Sequence, residues 1–104
     1  MDIQFHGHQA EITDGLRMKA AEGVQKLMEH LGRPVDADVW VSEDGVKKTV
    51  ELVLRAPHFD NLVSKSEGKY HEPALTNAIA KLDAQIRRLK SAKKRQVHGA
   101  ELRA

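Results

Sequence analysis

Seven basic residues crowd one short stretch of the chain, KLDAQIRRLKSAKKR, from Lys81 to Arg95. Lys81, Arg87, Arg88, Lys90, Lys93, Lys94 and Arg95 stand there against a single acid, Asp83, giving a local charge of +6. The chain as a whole carries only +2, so its other 89 residues carry −4. Lysine and arginine at this density are the chemistry of polyanion recognition, because each phosphate contacted releases condensed counterions. A solvated helix face is the plainer meaning of such a run, and an acidic protein partner is a third; the residues alone leave all three open. Aromatic residues are few (Trp40, Tyr70, Phe5 and Phe59), so stacking on unpaired bases is not the expected mode. If the partner is nucleic acid, a folded, phosphate-rich RNA surface read by shape and charge is favoured.

Other chemistries find less support. His6 and His8 lie two apart on one face of a strand, a spacing that metals use. The chain has no cysteine, and no carboxylate is placed by spacing to complete a shell, so two outward histidines on an edge strand are the preferred reading and no metal or other cofactor is expected. A nucleophile elbow of the GxSxG type is absent. Asp36 and Asp38 fall on an outward strand face, where burial would not shift a carboxyl pKa for acid–base work. The seven glycines are dispersed and form no phosphate-binding loop. These features argue against an enzyme.

The elements that must position the basic stretch are legible from periodicity. Ile3 and Phe5 alternate with polar neighbours as a short strand, expected to end at Gly7. Thr13 is a suitable N-cap, with Asp14 in the first turn, for a helix whose apolar stripe is Leu16, Ala20, Val24, Leu27 and Leu31. Gly32 and Pro34 stop it. Lys19, Lys26 and His30 share one flank of that stripe. Val35, Ala37, Val39 and Val41 then alternate with Asp36, Asp38 and Trp40, placing Trp40 on the outer face near Val53. Glu43-Asp44-Gly45 is expected to turn the chain into a strand with Val50, Leu52 and Leu54 inward. Pro57 ends that strand, and a fourth would turn Leu62, Ser64 and Ser66 inward.

Pro73 fits the first turn of a last helix, whose stripe is Leu75, Ile79, Leu82, Ile86 and Leu89. On its far side Lys81, Arg88 and Arg95 form one row, with Arg87 and Lys94 in a second. Lys93 falls in phase with the apolar stripe, so the helix should have outrun the sheet by that point. The order β-α-β-β-β-α predicts an α+β, two-layer sandwich: a four-stranded sheet with both helices on one face. A right-handed crossover makes the first pair of strands parallel and hairpins make the others antiparallel.

With 104 residues the chain is expected to form one domain over residues 1–95, with a frayed tail over 96–104. Its first residues lack the basic start and long apolar run of a secretory signal, and no stretch is apolar enough to cross a bilayer, so a cytoplasmic protein is expected.

Specific residues now join that order. GHQAEITDGLR, from Gly7 to Arg17, resembles the opening signature G-x-x-x-E-I/V-T-x-A-L-R of the ribosome hibernation promoting factors, also called the ribosome-associated inhibitor or sigma-54 modulation family. Gly7, Glu11, Ile12, Thr13, Leu16 and Arg17 fit, while Gly15 replaces the usual alanine. Lys26, Leu27 and Leu31 resemble the family's K-L-x-x-x-F. Lys81, Leu82, Gln85, Ile86, Arg88 and Lys90 resemble V-D-K-L-x-x-Q-L-x-K-x-K. The likeness covers nearly the whole chain up to about Arg95. It departs where Tyr70-His71-Glu72 stand in place of D-M-Y, so no role is carried onto that tripeptide.

The resemblance implies a domain similar to double-stranded RNA-binding modules. It also implies a non-catalytic factor that occupies the transfer-RNA and messenger-RNA channel of the small ribosomal subunit in stationary phase or stress. The absence of a linker and second domain resembles the short form, and another hibernation factor is then a candidate partner. Lys81, Arg87, Arg88, Lys90, Lys93, Lys94 and Arg95 would hold ribosomal RNA. Lys26, Lys19 and Arg17 would add a second contact, and Lys47 and Lys48 match the family's hairpin basics. The alternatives are a protein-interaction module that modulates transcription or another acidic partner, and a general duplex-RNA binder.

Overall fold

The computed structural model describes the backbone of residues 1–103 and the side chains of residues 1–91. Strand β1 (Asp2–His8) leads to helix α1 (Asp14–Leu31), then β2 (Asp36–Asp44), β3 (Lys47–Arg55), β4 (Leu62–Gly68) and helix α2 (His71–Arg103). The sheet order is β1-β2-β3-β4. β1 runs parallel to β2, and the other two pairs are antiparallel. The expected α+β sandwich is therefore the observed one.

One core holds the layers together. Val35, Ala37, Val39, Val41, Val50, Leu52 and Leu54 from the inner sheet face are all at most 2% exposed. They meet Leu16, Ala20, Val24 and Leu27 of α1 and Ala74, Leu75, Ala78, Leu82 and Ile86 of α2, so both helices cover the same face. Such burial is the main term favouring the fold. Ser64 and Ser66 are the small, polar members of the inner face, each 6% exposed. Opposite them α2 presents Ala74 and Ala78, and Ser64 Oγ donates 2.7 Å to the Ala78 carbonyl. Small residues on both sides let helix and strand approach while the hydroxyl keeps a partner.

Local chemistry sets the ends of α1. Thr13 Oγ1 accepts from the Leu16 amide at 3.1 Å, and Gly32 ends the helix at φ 75° with its amide on the Met28 carbonyl. Three expectations shift. β1 runs through Gly7 to His8; a Cβ at Gly7 would sit 2.8 Å from the Ala10 carbonyl oxygen, so glycine allows the chain to fold back there rather than ending the strand. β2 continues through Glu43 and Asp44, and the two-residue turn is Gly45-Val46, with Gly45 at φ 63°. Glycine at the first central position suits the twist of a tight hairpin. Leu89 is 41% exposed, so the buried stripe of α2 ends at Ile86. The helix passes the sheet edge about one turn before Lys93.

The edge of β4 is sealed by α2 itself. Lys81 Nζ donates to the Lys65 carbonyl at 2.7 Å and Gln85 Nε2 to the Val63 carbonyl at 2.9 Å. Both acceptors belong to the edge strand, whose unpaired backbone groups would otherwise invite another strand. At the other end of the sheet His71 Nε2, which must carry its proton to do so, donates 2.9 Å to the Ser42 carbonyl and ties the start of α2 to β2.

The two helices come closest at Gly23. A Cβ there would lie 2.2 Å from Ile79 Cδ1 and 2.9 Å from Ile79 Cγ1. Gly23→Ala gains about 1 kcal/mol of helix propensity but forces a β-branched neighbour aside, at a cost of about 1–3 kcal/mol. The substitution is expected to lower the thermal midpoint in the parent chain and to be neutral or stabilising in an Ile79→Ala background. Equal effects in the two backgrounds, measured by calorimetry, would rule out the close approach.

Candidate nucleic-acid interface

The exposed side of α2 carries the basic residues because its other side is spent on the core. Arg87, Arg88 and Lys90 are exposed. Arg88 borders a shallow cleft with Leu62, Gln85 and Leu89. Among the described residues neither Arg88 nor Lys90 is held by a carboxylate, whereas Arg87 Nη2 lies 2.8 Å from Asp83 Oδ2. Lys81 is exposed as well. Its ammonium gives one hydrogen to the Lys65 carbonyl and retains two donors for another acceptor. Lys93, Lys94 and Arg95 lie outside the residues whose side chains are described.

Asp83, the one acid of the basic stretch, joins the two helices. Its Oδ1 takes a hydrogen bond from His30 Nδ1 of α1, while its Oδ2 meets Arg87 one turn along α2. The hydrogen bond from His30 is the largest influence holding its carboxyl below the ordinary value of 3.8; the adjacent Arg87 charge adds to it and partial desolvation opposes it. The basic face thus has its own counter-charge on the inner side, where it orients Arg87.

The helix seam also places the α1 lysines. Gly15 lies beside Glu72, Gly23 beside Ile79, and His30 beside Asp83. Lys19 and Lys26 fall at the intervening three- and four-residue steps of α1, hence on the same seam-facing flank. Lys19 and Lys26 thus lie on the flank of α1 turned toward α2, whereas Lys81 and Arg88 lie on the other side of α2, beside Lys65 and Leu62 of β4. Arg17 is elsewhere: its guanidinium lies 4.9 Å from the centre of the Phe5 ring, on the β1 flank of α1. Lys47 pairs with Glu67 at 2.7 Å and Lys48 pairs with Glu43. That hairpin lies at the sheet end where α2 begins, away from Arg87 and Arg88. These two lysines are not brought to the basic part of α2.

The histidine motif resolves differently from its spacing. His6 Nε2 lies 3.0 Å from Asp38 Oδ1, and Arg55 Nε lies 3.1 Å from Asp38 Oδ2. A carboxylate does accompany His6, delivered by the parallel neighbour strand, which spacing within β1 could not show. Among the described residues no group of three or more histidine, cysteine, aspartate or glutamate side chains is arranged to hold a metal. The His6 ring stacks on Trp40 with centroids 4.0 Å apart, because the register sets these residues opposite each other. His6 thus flanks Trp40 from β1, on the side away from Val53 of β3. No helix among the described residues is long and apolar enough to cross a membrane.

The structure is a small α+β domain with both helices on one face of the sheet and basic residues exposed on α2. Residues 3–94 match the family described as "Sigma 54 modulation protein / S30EA ribosomal protein", and the chain belongs to this family of ribosome hibernation factors. The family is non-catalytic. A relative from Azotobacter vinelandii, a "Ribosome hibernation promoting factor", is 27% identical over 86 residues, which are 83% of this chain and 79% of that protein. The N-terminal domain of Thermus thermophilus Protein Y has the same fold, with a TM-score of 0.77 and 24% identity over 86% of this chain and 99% of that one. A ribosomal subunit interface protein from Coxiella burnetii matches with a TM-score of 0.74 and 18% identity, over 88% and 99% of the two chains.

Two departures from the family's sequence pattern meet in space. A Cβ at Gly15, where alanine is usual, would lie 3.3 Å from Glu72 Oε1 of the unusual Tyr70-His71-Glu72. The glutamate tip occupies room that an alanine methyl would crowd. His30 and Asp83 are the residues that sequence reasoning missed as a pair. Each stood out singly, but nothing local links positions 53 apart.

Asp83 generates a pH prediction. A carboxyl held low in the folded chain contributes stability that is present above its unfolded value and lost as the pH falls through the lowered one. Asp83→Asn is therefore expected to reduce stability near pH 7 by up to about 1 kcal/mol. The gap from the parent should close as the pH drops below 3.8. Urea titrations at pH 7 and pH 2.5 check this; an unchanged gap at the lower pH would refute it.

Proposed function

We propose that this protein binds the small ribosomal subunit, lies across the transfer-RNA and messenger-RNA sites between head and body, and so silences translation in stationary phase or stress. It acts in the cytoplasm without catalysis or cofactor. The observation that carries this reading is the exposed basic face of α2, where Arg88 and Lys90 stand without carboxylate partners among the described residues. The printed names of the Azotobacter and Coxiella relatives, a hibernation promoting factor and a subunit interface protein, support the ribosome as its target.

Arg87, Arg88, Lys90 and Lys81 grip ribosomal RNA phosphates, with Lys26 and Lys19 contributing from the other side of the helix seam. Lys93, Lys94 and Arg95 extend the same contact, which makes residues 1–95 the binding unit and leaves 96–104 as a tail. Arg17, Lys47 and Lys48 are peripheral: one lies on the opposite flank of α1, and the other two must leave Glu67 and Glu43 before meeting phosphate.

Co-sedimentation with purified small subunits tests this. Arg87→Glu with Arg88→Glu is expected to abolish binding at physiological salt. Arg88→Glu with Lys90→Glu, which spares the Asp83 contact, should do the same and flatten the dependence of log affinity on log salt by about two. Circular dichroism should remain that of the parent. Undiminished sedimentation of both folded variants would overturn the assignment.

A further inference from the structure

The outer sheet face, turned away from both helices, has the opposite charge to α2. Strand alternation directs six carboxylates onto it, from Asp2, Asp36, Asp38, Asp44, Glu51 and Glu67, against three cations, Lys47, Arg55 and Lys65. Two of those cations are already taken: Arg55 lies on Asp38 and Lys47 on Glu67. Among the described residues no ion pair holds Asp2, Asp36, Asp44 or Glu51. With Lys65 opposite Glu51 across the β3–β4 pair, six carboxylates against three cations leave this face a net charge of −3.

Its centre is apolar. Trp40 is 48% exposed and Val63 is 45% exposed, with the half-buried Val53 on the intervening strand. An exposed tryptophan on an acidic face, with Asp38 and Glu51 as neighbours, is unusual on a surface with no partner. His6 stacks parallel to the indole and is itself held by Asp38, which fixes the ring in place. Along β2, Asp36, Trp40 and Asp44 recur every fourth residue, about 13 Å apart by strand rise, with Glu51 directly opposite Trp40. A phosphate backbone would be repelled along this line. An arginine-rich segment would find carboxylates at both ends and an aromatic ring for a guanidinium at the middle.

We propose that the outer face of the sheet is a second binding surface, which takes an extended, arginine- and lysine-rich protein segment lying along β2 across Trp40. Charge complementarity selects the occupant, and the flat, regularly spaced acids select an extended one. This surface is on the opposite side of the sheet from α2 and acts whichever polyanion α2 holds.

Trp40 is the only tryptophan, so its indole N–H is an unambiguous reporter. The full chain, isotope-labelled, is titrated with a nine-residue peptide alternating arginine and serine. Saturable shifts are expected at the Trp40 indole and at the amides of Asp36, Asp44 and Glu51. Trp40→Ser with Glu51→Gln should weaken the peptide about tenfold. If that variant fails to fold, Asp36→Asn with Glu51→Gln carries the same expectation. Arg88→Glu with Lys90→Glu should leave peptide binding unchanged while losing small subunits, so failure of this proposal and failure of the ribosomal one are distinguishable. Several results would overturn it: shifts confined to other surfaces, unaltered affinity in the folded sheet variants, an equal Trp40 response to a glutamate–serine peptide or to duplex RNA, or self-association abolished by Trp40→Ser, which would assign the face to a second copy.

Discussion

The close approach of α1 and α2 at Gly23 is the constraint on which the rest of the structure depends. Because α1 carries no side chain at that point, Ile79 fits against bare backbone and the two helices run close together. That approach places His30 within reach of Asp83, and Asp83 in turn orients Arg87. It also turns the flank of α1 that carries Lys19 and Lys26 toward α2. Core packing and the geometry of the basic surface are therefore one arrangement, reached from opposite sides of the same helices.

α2 is fitted to the sheet by a second set of small residues. Ser64 and Ser66 facing Ala74 and Ala78 permit a near contact that larger inward residues would prevent. At that distance Lys81 and Gln85 reach the edge carbonyls of β4. Lys81 consequently serves two ends, closing the sheet edge and adding charge to the β4 side of α2. A substitution there disturbs both, which is why Arg88 and Lys90 are the cleaner probes of binding.

Much of this was legible in the sequence. The period-two valines of β2 and the stripe from Leu16 to Leu27 fix the layers and the order of elements, since each reflects burial of a single face. Local stereochemistry was harder to read: Gly7 looked like a strand end because the close carbonyl of Ala10 is invisible before folding. Leu89 continued the apolar stripe by phase, yet phase cannot say where the sheet beneath it stops. The basic residues of the candidate site were evident from composition, and the match to the family over residues 3–94 agrees with the resemblance carried by the Gly7–Arg17 and Lys81–Lys90 motifs. What could not be read were the contacts between distant strands and helices. His6 with Asp38, His30 with Asp83, and the pairing of Lys47 and Lys48 with acids all depend on register and crossing geometry.

The separation of charge between the two layers has a kinetic consequence. With cations concentrated on α2 and an excess of carboxylates on the outer sheet, the molecule carries a dipole directed from sheet to helices. In the field of a large polyanion such a dipole experiences a torque, so on the proposed mode of binding the helices would turn inward before contact and fewer encounters would be wasted on wrong orientations. Its small net charge of +2 understates how strongly it is guided. Salt should slow its arrival by screening that torque, even where the final contacts are unchanged.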